Sequence, residues 1–322
     1  MIDTFSDWLG VAQGWLFETV IQPLVFQLGF GAFVEDAFEG TEWLLIGMLE
    51  LALLFLVLRP LESLLPAQAI TDPRARWNDF FYTVLHRIGV FSLLIFFTLD
   101  PLMDSVAGWL RFDGFHPFNL DALWPGLGPL GAFAVYFVVL DFCDYWYHRA
   151  SHRFNWWWAL HGLHHSQQNM NLWSDDRNHV LDDLLRDIYL GVIALAIGVE
   201  PAQYVLLVSV SRMLQSLQHA NVRIHFGWLG ERLLVSPRYH RMHHAIGVGH
   251  EAGAGQGTLG GCNFAVLLPL WDILFGTANF TPQFVATGIR DQLSGREYGS
   301  GFWSQQWLGL KRMVDYARKD VV

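Results

Sequence analysis

Apolar positions run along the chain in stretches of unequal length, and where each is broken decides what it can become. From Trp8 to Val34 the apolar run is interrupted by Gln13, Glu18, Gln22, Pro23 and Gln27. No unbroken segment of about 20 residues is left to cross a bilayer, so the pattern predicts a pair of interfacial helices. Trp43 to Leu58, WLLIGMLELALLFLVL, carries Glu50 as its one charge and ends at Arg59 and Pro60, which makes it the first spanning helix. Phe80 to Leu99 is the second, with His86 and Arg87 near its start, and such charges are expected to face protein or the interface. Leu130 to Trp146 is the third. Ile188 to Leu214 is long enough to cross once, but Glu200 and Pro201 stand in its middle. Phe264 to Phe275 is too short to span and reads as an interfacial or core helix, whereas Trp303 to Arg318 has the pattern of an amphipathic helix on the cytoplasmic surface.

These elements predict an all-α, polytopic membrane protein with about four spanning or re-entrant helices and a cytoplasmic helical cap. Arg59, Arg74 and Arg76 lie between the first two spans, and Asp100, Asp104, Asp113 and Asp121 face Arg111 in the next loop. Arginine marks the cytoplasmic side, so the third span returns the chain inside and delivers His148 there.

Composition agrees. Hydrophobic residues make up 52% of the 322, charged residues 16%, and mean hydropathy is +0.27, high for a soluble domain of this length. Fifteen tryptophans suit a membrane interface. A net charge of −10 with only two lysines excludes a basic nucleic-acid surface. Cys143 and Cys262 are the only cysteines, so there is neither a disulfide framework nor a CxxC motif. The opening MIDTFSDW lacks the positive start of a secretory signal, and the N-terminus is expected to be retained.

The candidate chemistry lies in histidines. The 18 residues from His148 to His165, HRASHRFNWWWALHGLHH, hold five, where composition predicts about 0.8. His148 and His152, then His161 with His164 and His165, then His240 with His243 and His244, sit three or four apart, the spacing that shares one helix face. Eight imidazoles exceed the three or four that one zinc ion needs, so the count suits two metals. Glu200 and Pro201 now acquire a meaning. A single crossing between them would leave His240 to His244 about 30 Å from the earlier blocks across hydrocarbon. A hairpin turning there is therefore predicted.

HxxxH, HxxHH and a distant HxxHH, embedded as DFCDYWYHRASH, HGLHH and SPRYHRMHH, resemble the fatty acid hydroxylase/sterol desaturase superfamily of integral-membrane di-iron oxygenases. The likeness runs from about Asp141 to about Thr277, where LLPLWDILFGT resembles the closing segment of that family. It implies two iron ions, with zinc as a replacement metal in a preparation. It further implies dioxygen as co-substrate and hydroxylation or desaturation of a lipid C–H bond: fatty acyl, sterol or a related isoprenoid. It also makes His219 a probable ninth ligand. No cytochrome b5-like, ferredoxin or flavin domain is visible, so electrons are expected from a separate donor of one of those kinds. The chain divides on this reading into N-terminal interfacial helices and two spans (1–128), a metal-binding domain (129–280) and a cytoplasmic tail (281–322).

Metal-bound imidazoles usually donate their other ring nitrogen to a carboxylate or carbonyl. Asp141 and Asp144 are candidates to serve the first block by spacing, with Asp175, Asp176, Asp182, Asp183 and Asp272 further candidates. His179 and Gln215 are placed beside the site rather than on the metal. His86 is left out as packed or interfacial, His225 stays open between the site and the interface, and His250 reads as a loop residue. Trp156, Trp157, Trp158 and Trp173 are expected at the interface. GQGTLG from Gly255 lacks the βαβ setting of a dinucleotide loop. A membrane zinc hydrolase is the competing enzyme, weakened because Arg149 stands where HExxH has glutamate. Metal transport or haem binding is the non-enzymatic alternative.

Overall fold

A computed structural model describes residues 2–89, 100–115, 126–246 and 261–319. Its regular structure is helical, and two isolated bridges, Pro66 to Val222 and Ala245 to Thr287, are the β pairings among the described residues. The N-terminal pair is a single rod: α1 (Ile2–Leu16) passes through one wide π turn (Phe17–Ile21) into α2 (Gln22–Gln27). Pro23 follows directly on the π turn, where the regular hydrogen-bond ladder of the rod is already interrupted. Gly29, at φ +80°, reverses the chain into α3 (Val34–Leu53). The rod packs back on α3, with Gln13 donating to the Phe38 carbonyl at 2.9 Å and Phe17 edge-on to Phe38.

Helix α3 continues through a π turn (Leu54–Leu58) into α4 (Arg59–Leu64). Gly31–Leu64 and Gly128–Arg153 are the two helices, among the described residues, long and apolar enough to cross a membrane. The second predicted span is described only as far as Gly89, within and just after α5 (Pro73–Arg87), and its remainder lies outside the described residues. Helix α6 (Asp100–Phe112) follows, and α7 (Gly128–Arg153) carries His148 and His152 near its end.

Helix α8 (Asn155–His165) leads into a buried polar loop, 166–179. Asp79 on α5 anchors that loop, accepting from Asn171 and Ser174 at 2.9 Å and from Arg177 at 3.1 Å. Helices α9 (Val180–Ile197) and α10 (Pro201–His219) form the predicted hairpin. Gly198 takes φ +77°, and Pro201 opens α10, so the turn falls at Glu200 and Pro201 as the sequence requires. Neither arm is among the two candidate spans, but the reversal brings His219 back to the end where α7 delivers His148.

Helix α11 (Gly227–Leu233) and α12 (Pro237–His243) complete the histidine-bearing part. The expected helix at Phe264 to Phe275 is mostly irregular and only α13 (Leu270–Leu274) is helical. Two carboxylates, not helical bonds, take up its N–H groups: Asp272 accepts from those of Phe264 and Ala265, and Asp141 from those of Leu267 and Leu268. Helix α14 (Phe302–Lys319) is amphipathic as expected, but it packs on α8, burying Gln305 and Gln306 while Trp303 and Trp307 stand exposed.

One contact ties the first span to the site. Gly47 on α3 meets the Arg87 carbonyl so closely that a Cβ would lie 1.6 Å from the oxygen. The Arg87 guanidinium, fully buried, donates to Glu50 at 2.7 Å, Ser216 at 2.8 Å, Asp176 at 3.3 Å and Asp175 at 3.4 Å. Removing that cation leaves buried carboxylates uncompensated, an effect of about 3–5 kcal/mol. Arg87→Met is therefore expected to lower the unfolding temperature in detergent sharply, and an unchanged transition would show that the network contributes nothing.

Candidate metal centre

Four elements converge on one point. The end of α7 supplies His148 and His152, α8 supplies His161, His164 and His165, and the end of α10 supplies His219. Helix α12 and its C-cap supply His240, His243 and His244. Their ligand atoms form two groups, each with all members within 4.8 Å of one another: His148, His152, His161, His165 and His243, and His164, His219, His240 and His244. The groups abut, since the His165 and His244 rings stack at 4.3 Å.

Within the groups, Nε2 faces Nε2. The separations are 3.3 Å for His148 to His152 and for His161 to His165, 3.0 Å for His164 to His219, 2.9 Å for His219 to His240 and 3.1 Å for His240 to His244. Nitrogens about 2.0–2.1 Å from a shared ion lie roughly 3.0 Å apart at a right angle and roughly 3.4 Å apart at a tetrahedral angle. The spacing fits.

The outer nitrogens decide which way the lone pairs point. Nδ1 of His148 donates to the Phe264 carbonyl, that of His219 to the Gln215 carbonyl and that of His243 to the Cys262 carbonyl, each at 2.8 Å. His161 Nδ1 donates to Asp182 at 2.9 Å. A neutral imidazole has one N–H, so these four present bare Nε2 lone pairs inward. A facing ring that keeps its proton on Nε2 can donate to such a lone pair, and a cation between the two nitrogens takes that proton's place, held by both rings. Nine imidazoles with no inner carboxylate suit iron, copper, nickel or zinc by donor type.

The expected supporting residues fall elsewhere. Asp144 is held by the Arg186 guanidinium, with Nε donating at 2.9 Å, so it serves no histidine of the first block. Asp141 accepts from the Leu267 and Leu268 N–H groups and from Trp271 Nε1. Asp272 binds the N–H groups of Phe264 and Ala265 and the hydroxyls of Thr277 and Tyr239. Both therefore act one step away, fixing the segment whose Phe264 carbonyl orients His148. Gln215 serves His219 through its backbone, while its side chain meets Ser211 and Arg186.

His179 caps α9: Nδ1 accepts from the Leu181 N–H and Nε2 donates to the Gln306 carbonyl, which leaves no lone pair for an ion. Among the carboxylates, Asp182 does the direct work, also accepting from Trp157 and Tyr147, and Asp175 stands 3.4 Å from His219 Nδ1. Trp158 packs on the His152 and His165 rings and Trp173 lies in the core, so these two are not interfacial. His225 is exposed, and His250 lies outside the described residues. His86 faces Asp183 at 3.4 Å.

A cavity of about 870 Å³ opens onto the centre, reaching His148, His161, His164, His219 and His240 at one side and Val25, Leu28, Phe30 and Phe33 of the N-terminal segment at another. Burial, and then the neighbouring imidazoles, holds His164 well below its ordinary pKa, so it stays neutral and ligand-competent.

Such a fold and site define a helical protein with membrane-length apolar helices around a buried polyhistidine centre. Residues 133–277 match the family model for fatty acid hydroxylase. The chain is 30% identical over 205 residues to human (Homo sapiens) alkylglycerol monooxygenase, covering 62% of this chain and 41% of that one. The alkylglycerol monooxygenases of Danio rerio and Xenopus tropicalis are 28% and 29% identical, covering 71% and 46% of this chain and 46% and 30% of theirs. The chain thus spans less than half the length of these curated relatives. No solved structure matches significantly. Residues 133–277, just under half of the chain, are thus similar to the fatty acid hydroxylase family, and the relatives matched are monooxygenases by name.

Two outcomes are expected. Since the folded protein keeps His164 neutral, metal-free protein should hold its stability above the ordinary value of 6.5 and lose it as pH falls below, where the unfolded chain takes up the proton first. Unfolding in detergent across pH 5–8 checks this, and a flat profile would contradict it. Asp182→Asn should weaken metal binding by about 10–100-fold, read in a chelator competition.

Proposed function

We propose that the protein is a membrane-bound di-iron oxygenase that hydroxylates or desaturates a C–H bond of a lipid, with His148, His152, His161, His165 and His243 holding one ion and His164, His219, His240 and His244 the other. The observation carrying this reading is two abutting sets of inward Nε2 atoms beside a cavity that extends to apolar helices. The lipid oxygenation named for the relatives supports it. When bound, iron supplies dioxygen activation with two external electrons.

The chain's own part is orientation and exclusion. Asp182 and the carbonyls of Gln215, Cys262 and Phe264 hold the Nδ1 protons outward and keep Nε2 available. Trp158 and Phe264 close over the His152 ring and keep water from it. The apolar walls admit an alkyl chain from the bilayer at little cost, since it passes from one apolar surrounding to another. Residues 129–280 form the metal-binding unit, with the centre on the cytoplasmic side, served by a ferredoxin, a cytochrome b5-like protein or a flavin reductase. Among the described residues, the carboxylates nearest the imidazoles, Asp144, Asp175 and Asp182, are turned to arginine or to ring N–H groups. That disfavours a hydrolase.

The test is reconstitution with ferrous iron, a reductase system and ¹⁸O₂, followed by mass spectrometry of lipids. A labelled alcohol, or a lipid lacking a pair of hydrogens, is expected only with both oxygen and reductant. Oxygen-independent ester cleavage would overturn the proposal.

A further inference from the structure

One side of the polyhistidine centre is closed by an oxidisable ring. The Trp158 indole on α8 lies 5.0 Å from the His152 ring and 5.2 Å from the His165 ring, centroid to centroid, and is itself buried. Behind it stands Tyr298, packed with Trp158 and Ile289 in one buried cluster. A Cβ on Gly162 would lie 3.6 Å from Trp158 Cε2 and 3.6 Å from Tyr298 Cε1, so both rings border the space that this glycine leaves open. Beyond Tyr298 the surface begins: Arg296, Arg312 and Tyr316 line a cleft there, and Arg296 is exposed.

Tyr298 is set up to lose an electron and a proton together. A phenol becomes strongly acidic once an electron leaves it, so its proton needs an acceptor at hand. The hydroxyl donates to Asp291, 3.0 Å from one carboxylate oxygen and 3.1 Å from the other. Arg296 pairs with that carboxylate at 2.8 Å, at the solvent edge. The Arg312 guanidinium stands 3.9 Å over the Tyr298 ring and attracts its π electrons, which disfavours a charged radical and makes release of the proton part of the oxidation. Tyr147 and Trp157 also stand beside the centre, but their protons go to Asp182, the carboxylate that holds His161. Asp291 is bonded to Tyr298 and Arg296 instead, so it takes up a proton without releasing an imidazole.

Accepting the oxygenase reading, we propose that Trp158 and Tyr298 form an outlet that carries oxidising equivalents from the centre to the surface when dioxygen and external electrons are consumed with no lipid bound. Trp158 gives one electron to the oxidised centre and is refilled by Tyr298, whose phenolic proton passes to Asp291. A one-electron reductant from solution, of the ascorbate or thiol class, then restores Tyr298, and the proton returns from Asp291. Two such passages supply the two electrons that, with two protons from solvent, leave the remaining oxygen atom of dioxygen as water. The direction is outward, since an indole or a phenol yields its electron only to a strong oxidant, which the centre is only during turnover. With the outlet closed, the same equivalents are spent on the imidazoles and on the indole that touches them.

The test is electron paramagnetic resonance on the full iron-loaded chain in detergent, frozen directly after mixing with hydrogen peroxide in the absence of lipid substrate. A tyrosyl signal, narrowed by ring-deuterated tyrosine, is expected in the wild type. Per bound iron it should be lost in Tyr298→Phe and in Trp158→Phe and weakened in Asp291→Asn. Tyr298→Phe keeps a ring packed on Trp158 and should leave metal content and melting temperature unchanged. Mass spectrometry of that variant should find oxidised peptides bearing His152, Trp158 and His165 increased severalfold. No tyrosyl signal in the wild type, a signal that persists in either phenylalanine variant, or equal peptide oxidation with and without the Tyr298 hydroxyl would each overturn the proposal. The radical formed with peroxide, but neither radical nor oxygenated lipid formed with dioxygen and reductant, would sink the oxygenase reading alone. Lipid oxygenation with no radical under either oxidant would sink the outlet alone.

Discussion

The arrangement depends on four hydrogen bonds made by the far side of imidazole rings. A histidine in water is indifferent to which nitrogen carries its proton. Here the carbonyls of Phe264, Gln215 and Cys262 and the carboxylate of Asp182 make the choice, and each choice turns a lone pair toward its neighbours. Without a cation, neighbouring rings can meet those lone pairs with Nε2 protons, and a cation takes the place of those protons, held by every ring around it. The rest of the molecule is the framework that holds the rings at this spacing.

That framework is polar. Asp272 and Asp141 hold an otherwise irregular segment so that one carbonyl meets His148, and Asp79 holds the loop that brings Asp175 and Asp176 to the centre. Arg87 links the loop to Glu50 on the first span, and Gly47 allows α5 to approach closely enough for that link. Carboxylates at these positions would be costly in isolation; Asp79, Asp141, Asp175 and Asp272 each accept from several donors, and Glu50 is held by Arg87. Helix packing and metal geometry are therefore joined through charges as well as through the apolar cluster of Leu54, Leu58, Leu172 and Trp173.

Periodicity and spacing revealed much of this. The three histidine blocks were legible because ligand spacing on helices is a local property, whereas His219 was reached through the family resemblance. The reversal at Glu200 and Pro201 was legible because the histidine blocks on either side of that apolar run had to return to one side of the membrane. The supporting residues were not. Asp141 and Asp144 have the helical spacing to serve His148, yet Arg186, 42 residues from Asp144, claims one, and the N–H groups of a distant segment claim the other. Backbone carbonyls carry no sequence signature, so three of the four orienting bonds left none. His179 resembled a site residue only by proximity, its ring being consumed by a helix cap and by Gln306. The C-terminal helix was read as amphipathic, and its buried side carries Gln305 and Gln306.

The central claim is that two separate sets of imidazoles each hold an ion. Metal content per chain, measured on iron-loaded wild type and on His152→Ala and His164→Ala, addresses it most directly. The account predicts two ions in the wild type, with each variant losing the ion of its own set and keeping the other to a large extent. Two ions in both variants, or a single ion in the wild type that either change abolishes, would contradict it.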